Sequence, residues 1–536
     1  MNTLARVRVP LLLLSFGILL LIAASKANAA KPPLGPPLWP GELAYHPSPR
    51  AVTLLLFIGY LAGALAVLAG LARPRIGRRW LGWVLLLAVL TLLTAPIGSG
   101  DHTNYAAYGR IAMQGGDPYV ESPEAWRDGL DPITASVQPP WRTTPSIYGP
   151  LATALMAFSS WVGGDNLRET VGTWQVLVIA AWLAMRWMLL QLVEGERAQG
   201  RIDVLWTFNP LVFGALVMGA HVDMIAGAFA VAALLALRRS PVLTGLFVGA
   251  AASTKITYGV VALGILWAWR AAVQRHPAWR PPTGAGPLRR LVAPLRTAGA
   301  RQQVTRLVLG ALAVVVPCYV VAGPHVLRQL GAAGGSFSFA TPAAPIWRGL
   351  RHVLPEWAVA TIVFTLAALV MILLAWLLHR VAARVNLGRR IPDGATRQAV
   401  VTTWALSTAY VLVAPYSLPW YDTLTWALLP LLLELAWDRV LVVRYLFMVL
   451  AYVPGRVLAL TPTVEAFTLN FRKNIAPWVT TAMLLAMFWH CWRILRAPRV
   501  GPVSRRFGRA TLRRRPRRAA APPAGRRSPA RRHRSR

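Results

Sequence analysis

Cysteine and acidic residues are scarce in this chain. Its 536 residues include only 2 Cys, and 19 Asp and Glu stand against 57 Lys and Arg. Cys318 and Cys491 imply neither a disulfide nor a thiolate metal site. Charged residues of both signs make up only 14% of the chain, whereas 56% is hydrophobic. This balance excludes a single water-soluble domain and predicts an all-α polytopic membrane protein.

The basic residues are abundant but unevenly placed. A net charge of +38 would suit a nucleic-acid-binding protein, yet the arginines gather in connecting segments and at the C-terminus, where they can fix membrane topology. Residues 498–536 carry Arg, Pro and Ala without apolar periodicity, which predicts a disordered cytoplasmic tail attracted to anionic lipid. Membrane lipids are therefore an expected partner, and nucleic acid is not.

The first hundred residues predict where the first polar loop emerges. Residues 1–30 are typical of a signal peptide or a first transmembrane anchor, and both alternatives place residue 31 outside. A span at 52–71 returns to four arginines, at positions 73, 75, 78 and 79, that mark the cytoplasmic side. A third span at 80–97 then places Asp101 on the extracytoplasmic face.

The same charge rule orders the remaining spans of a predicted transmembrane domain over residues 31–497. The run 148–162 is predicted to be re-entrant, and 242–269 to form two short halves that turn near Lys255, because other choices would expose basic loops outside. Counting the first anchor, the sequence predicts roughly 13 to 14 transmembrane segments. The later ones lie near 171–193, 204–218, 224–237, 305–322, 356–378, 400–414, 421–437, 440–454 and 476–494.

The first large outer loop begins with a polar cluster directly after the third span. Residues 103–114 predict a short juxtamembrane helix stopped by Gly115-Gly-Asp-Pro118, with Asp101 or Thr103 as its N-cap. Tyr105, Tyr108 and Ala112 share a face, so this helix could lie on the membrane surface. Asp101 is either that cap or a group that carries chemistry.

Three further outer positions combine polar and aromatic groups. His221 and Asp223 end one apolar run, Lys255 stands alone in another, and Pro419-Trp-Tyr-Asp422 forms a proline-broken turn. Ionisable groups beside membrane spans usually line a cavity or pair with each other. The alternatives are a helix-terminal polar pair, a snorkelling lysine and a simple tight turn.

Taken together and in this order, these motifs resemble a known family. The family is the GT-C glycosyltransferases, which this chain resembles in seven short motifs. They are Tyr105-Ala-Ala-Tyr-Gly-Arg110, Gly-Gly-Asp117-Pro-Tyr119, Tyr148-Gly-Pro-Leu, Asn209-Pro-Leu, Gly-Ala-His221-Val-Asp223, Lys255 and Pro419-Trp-Tyr421. Within them the chain is most similar to actinobacterial polyprenyl-phosphate-mannose-dependent α-1,6-mannosyltransferases that build lipomannan cores. The resemblance covers about residues 80 to 430 and implies a GT-C-like helical bundle.

The resemblance implies transfer of a sugar, mannose by analogy, from a polyprenyl-phosphate donor to a cell-envelope glycan or glycolipid. Asp101 would act as general base in a single inverting displacement. Lys255, ahead of Arg110 or Arg348, would stabilise the departing phosphate. The other expected substrate-binding residues are Tyr105, Asp117, Tyr119, Tyr148, His221, Asp223, Trp420 and Tyr421. No cofactor is implied, although a divalent metal between Asp101 and Asp117 is conceivable.

Two other functions use similar features. A transporter or flippase of lipid-linked sugars needs the same outer aromatic and basic groups, but it usually shows repeated halves with paired broken helices. The sequence shows no convincing internal repeat. A noncatalytic partner of an envelope synthase is the third alternative.

Overall fold

A computed structural model describes residues 3–36, 42–72, 81–284, 286–327, 337–456 and 458–498. Within these ranges the chain is helical and forms no strand; an isolated bridge joins Asn28 and Lys31. The basic cluster at positions 73 to 79 and the tail from 499 onward lie outside the described residues, so both remain predictions.

Long apolar helices dominate the described chain. Eight are long and apolar enough to cross a membrane: Val7–Ala24, Pro49–Leu71, Leu167–Leu192, Glu196–Met218, Ile256–Arg275, Ala298–Ala322, Glu356–Val385 and Pro462–Arg496. Three shorter apolar helices join them: Leu81–Leu93, Asp223–Ala236 and Pro241–Thr254. The predicted all-α, multi-span membrane fold is confirmed.

Helices occupy the other predicted spans as well, with one exception. Gly394–Val413 and Trp437–Leu450 are helical, and Pro150–Gly163 forms a helix over the predicted re-entrant run. The continuous span predicted at 421–437 is wrong. Short helical turns fill it up to Leu431, and Leu432 is extended, because Pro430 has no N–H to continue a helical ladder.

The break predicted near Lys255 is present. Helix Pro241–Thr254 ends at Lys255, whose backbone is extended at φ −152° and ψ 119°. A 3₁₀ turn, Ile256–Gly259, leads into helix Val260–Arg275. The lysine side chain is thereby placed at the junction of two half-helices.

The N-terminal helix, Thr3–Ala24, packs into the bundle. Leu19 and Ile22 are fully buried, and Ser15 Oγ donates to the Gly59 carbonyl at 2.7 Å. The following Ala29 and Ala30 are also buried. Gly98 N–H donates to Ala30 O at 2.9 Å, so this segment contacts the loop that precedes Asp101.

Buried ion pairs join helices inside the bundle. Arg201 Nη1 donates to Asp438 Oδ2 at 2.9 Å, and both side chains are inaccessible to solvent. Arg444 pairs with Asp422 and also donates to Ser417 Oγ. The second pair anchors both sides of the proline-broken turn and thereby fixes the position of Trp420.

Candidate active site

Asp101 is the first residue of helix Asp101–Met113, and its side chain is 12% exposed. The predicted N-cap role of Asp101 or Thr103 is wrong, because Gly100 occupies that position and no side chain caps the helix. The predicted surface location is also wrong: residues 101–111 are all buried. Both findings favour chemistry over capping for this carboxylate.

His221 lies directly against Asp101. Its Nδ1 is 3.5 Å from Asp101 Oδ2 and 3.4 Å from the Tyr105 hydroxyl. Ala220 precedes it at φ 52°, a left-handed conformation that is uncommon for a residue with a side chain. Trp174 Nε1 donates to the Ala220 carbonyl at 2.7 Å and holds this backbone in place.

The proline-broken turn contributes Trp420 to the same cluster. Its indole stacks on the His221 imidazole, with centroids 3.8 Å apart and 12° between the planes. Tyr105, one turn further along Asp101's helix, packs edge-on against Tyr148 with ring centroids 5.2 Å apart. The structure therefore brings together five residues from four separate segments of the sequence.

Lys255 and Asp223 form an ion pair next to this cluster. Lys255 Nζ lies 2.8 and 3.0 Å from the two Asp223 oxygens, and Tyr258 donates its hydroxyl to Asp223 Oδ1 at 3.0 Å. The ammonium also lies 3.9 Å above the centre of the Tyr421 ring. Lys255 thus has a carboxylate and an aromatic face as neighbours.

Asp101 opens onto a cavity of about 320 Å³. Trp420 forms one wall, and the cavity is also lined by residues that sequence reasoning missed: Gln138, Tyr416, Tyr452, Arg456 and Arg472. Arg456 falls in a loop and Arg472 in a helical segment, neither with a recognisable motif. Their positive charge was the only signal in the sequence, and basic residues are common throughout this chain.

Several predicted site residues lie elsewhere. Arg110 pairs with Asp131 at 2.9 Å and also with Asp165, while Arg348 donates to Asn474 at the exposed surface. Asp117 and Tyr119 line a second cavity of about 640 Å³, where Asp117 contacts His325 Nδ1 at 2.7 Å. These four residues are separate from the Asp101 cavity.

A metal shared by Asp101 and Asp117 does not fit this geometry. Asp101 begins a 13-residue helix and Asp117 follows its far end, and at 1.5 Å per residue this helix is about 20 Å long. In the part of the chain that the structure describes, no group of three or more His, Cys, Asp or Glu could hold an ion.

The comparisons with known proteins agree with these motifs. Residues 13–272 match the family model described as alpha-(1->6)-mannopyranosyltransferase, N-terminal domain. The expected resemblance to this family is confirmed. Asp101, His221, Asp223 and Lys255 all fall within the matched mannopyranosyltransferase region, whereas Trp420, Arg456 and Arg472 follow it.

Individual mannopyranosyltransferases are similar over shorter stretches. A probable alpha-(1->6)-mannopyranosyltransferase of Mycolicibacterium smegmatis is 31% identical over 216 residues, 38% of each chain. Alpha-(1->6)-mannopyranosyltransferase A of Corynebacterium glutamicum is 28% identical over 184 residues, 34% of this chain and 37% of the relative. The chain thus aligns with less than two fifths of the length of these relatives. No solved structure matches.

Proposed function

We propose that this membrane protein is a mannosyltransferase that moves mannose from a polyprenyl-phosphate donor to a hydroxyl of a cell-envelope glycan or glycolipid. The similarity over residues 13–272 supports the transferase class. The main structural support is the position of the Asp101 carboxylate, which lines a cavity and lies 3.5 Å from His221 Nδ1. A carboxylate that reaches a cavity can accept a proton from a bound hydroxyl.

In the proposed reaction, Asp101 removes the proton of the acceptor hydroxyl while that oxygen attacks the anomeric carbon of mannose. The bond between the anomeric carbon and the phosphate oxygen breaks, and its electron pair leaves with the polyprenyl phosphate. The reaction inverts the configuration at the anomeric carbon. No covalent intermediate is required.

The surrounding residues position the reactants in this proposal. His221 offers a ring nitrogen beside Asp101, and its stacking on Trp420 fixes the plane of the imidazole. Trp420 itself lines the cavity and offers apolar surface to a sugar ring. Tyr148 supports Tyr105, whose hydroxyl contacts His221.

The proposed topology places the reaction on the extracytoplasmic face. Two observations support it: the helices break where the charge rule predicted, near Lys255, and Asp101, His221 and Trp420, which that rule assigns to one face, lie in contact. The C-terminal tail would then be cytoplasmic. Reactivity of single cysteines placed at exposed loops tests this sidedness in intact cells.

The decisive experiment compares Asp101→Asn with the unchanged full chain in lipid nanodiscs, supplied with polyprenyl-phosphate-mannose and a mannoside acceptor. Loss of a general base lowers the transfer rate by about 10²- to 10⁴-fold. Asp128→Asn is the matched control, because Asp128 is exposed and its left-handed backbone, at φ 56°, suits asparagine. Its rate should be unchanged.

Two outcomes would contradict the proposal. Full transfer activity in Asp101→Asn would remove the proposed base. Movement of the donor lipid between leaflets without any mannosylated product would instead favour a transporter.

A further inference from the structure

Two arginines from the later part of the chain line the same cavity as Asp101. Arg456 follows helix Trp437–Leu450, and Arg472 lies in a π-helical turn, Phe471–Ile475. Both side chains are partly buried. They therefore place positive charge beside the proposed base.

Neutral groups hold the Arg456 guanidinium. Nη1 donates to the carbonyls of Asn28 and Lys31 at 2.8 and 3.2 Å, and Nε donates to Gln138 Oε1 at 3.2 Å. Burial lowers the pKa of Arg456 from its ordinary value because water no longer solvates the charge. Nη2 has no hydrogen-bond partner among the described residues.

Arg472 is held in the same way. Its Nε donates to the Ala451 carbonyl at 2.7 Å, and its guanidinium lies 4.6 Å from the centre of the Tyr452 ring. Both Nη atoms are without a hydrogen-bond partner in the described ranges. The Arg472 guanidinium is thus fixed in orientation, while its two Nη atoms can still donate to a ligand.

In the part of the chain that the structure describes, Arg456 and Arg472 lack the carboxylate partner that two fully buried arginines of the bundle have. Arg201 and Arg444 each pair with an aspartate. Among the described residues, neither Arg456 nor Arg472 has a carboxylate oxygen within 4.0 Å, and the groups to which they donate are neutral. Buried cations normally pair with an anion, because an unpaired buried charge is costly.

We propose that Arg456 and Arg472 bind the phosphate of the lipid-linked donor, an inference that rests on the proposed mannosyl transfer. Guanidinium groups match phosphate oxygens with paired N–H donors. When the bond to the anomeric carbon breaks, the phosphate oxygen gains the electron pair and one negative charge. Fixed cations beside that oxygen stabilise the charge as it develops.

Lys255, the cation expected from the sequence, is less suited to this role. Its ammonium already contacts both oxygens of Asp223. A phosphate at Lys255 would meet the negative charge of that aspartate, which is 1% exposed. The cavity beside Arg456 and Arg472 also contains Asp101, so phosphate and proton acceptor would face the same sugar.

An apolar rim extends the proposed phosphate site. Phe337 and Phe339 line the cavity, and Phe339 is 39% exposed. These rings offer surface to the isoprenoid chain next to the phosphate. The ligand class is therefore a lipid monophosphate, and free phosphate is the alternative that the test distinguishes.

The test measures binding, not transfer. Labelled polyprenyl phosphate is titrated onto the full-length Asp101→Asn chain in nanodiscs, with and without Arg472→Gln. We expect at least tenfold weaker binding in Arg472→Gln and partial recovery in Arg472→Lys, which keeps the charge. Unphosphorylated polyprenol should bind both backgrounds equally. If inorganic phosphate displaces labelled polyprenyl phosphate only at high concentration, the site binds the lipid-linked phosphate in preference to free phosphate.

Matched variants complete the design. Arg351→Gln removes an exposed arginine and should leave binding unchanged. Arg456→Gln should weaken binding as Arg472→Gln does, and thermal unfolding reports whether its backbone contacts also stabilise the fold. Where a glutamine variant fails to fold, the lysine variant supplies the affinity comparison.

Equal affinity of Arg472→Gln and the parent for polyprenyl phosphate would overturn the inference, as would a loss confined to Lys255→Met. Each result is independent of the transfer reaction. If the unchanged chain transfers mannose while the arginine variants bind normally, only the phosphate site is wrong. If the arginines control lipid-phosphate binding but no mannose moves, only the proposed reaction is wrong.

Discussion

The imidazole of His221 lies parallel to the indole of Trp420, with ring centroids 3.8 Å apart. The contact joins a residue inside the matched family region to one well beyond it. Stacking restricts rotation of the imidazole about its side-chain bonds, so the distance from Nδ1 to Asp101 depends on a turn that is remote in sequence.

Removing this stack should slow transfer. An aromatic pair contributes about 0.5–1.5 kcal/mol beyond its buried area, and 1.4 kcal/mol corresponds to about tenfold in rate. We expect Trp420→Leu to lower kcat by up to about tenfold and Trp420→Phe to lower it less. Steady-state kinetics of both variants check this order. A leucine variant as fast as the phenylalanine variant would contradict it.

The ion pair between Lys255 and Asp223 predicts a non-additive effect on stability. Removing one partner of a buried pair is costly because the other charge is left alone, whereas removing both can be nearly neutral. Lys255→Met should therefore lower the thermal unfolding midpoint more than Lys255→Met combined with Asp223→Asn. Thermal unfolding in detergent measures both. A double variant less stable than the single one would show that the pair has no such coupling.

Gly455 predicts a backbone-specific loss of activity. Its φ is +119°, and a Cβ at this position would lie 2.3 Å from the carbonyl carbon of Gly98, close to Asp101. We expect Gly455→Ala to displace the segment before Asp101 and to reduce transfer at least several-fold. Gly299→Ala is the control, because Gly299 is helical and open space surrounds its Cβ position. Equal rates for the two variants would argue against this contact.

The N-terminal segment is expected to stay attached. Ala29 and Ala30 are buried, and Arg456 N–H donates to the Ala29 carbonyl at 3.3 Å. Cleavage after Ala29 would free a helix whose Leu19 and Ile22 are fully buried. The mass of the purified intact protein, or retention of an N-terminal epitope tag, checks this prediction. A protein that begins at Ala30 would contradict it.

Apolar runs predicted where most helices lie, and the charge distribution added one break within a run. The charge distribution correctly placed the break at Lys255, although the residues directly before the lysine, Ala250-Ala-Ala-Ser-Thr254, include neither proline nor glycine. Apolar composition failed at 421–437, where it suggested one continuous helix but Pro430 interrupts it. Hydropathy indicates which segments are apolar enough to lie in a membrane, but it does not indicate whether the helix through such a segment is continuous.

The site was predicted only as far as local motifs reach. His221 and Asp223 were expected near Asp101, and His221 indeed contacts it. Asp117 was expected to bind substrate because its Gly-Gly-Asp-Pro-Tyr motif is part of the family resemblance, yet it lines a different cavity from Asp101. Arg456 and Arg472 approach Asp101 only through tertiary packing, which a single sequence does not reveal.

The bond from Arg456 to the Asn28 carbonyl spans 428 positions in the chain. During synthesis, Asp101 is therefore made long before the residues that complete its cavity. A partly synthesised chain would hold the proposed base without Trp420 or the two arginines. Under the proposed function, the protein cannot consume its lipid donor until nearly all of its helices have entered the membrane, so membrane insertion itself controls when activity begins.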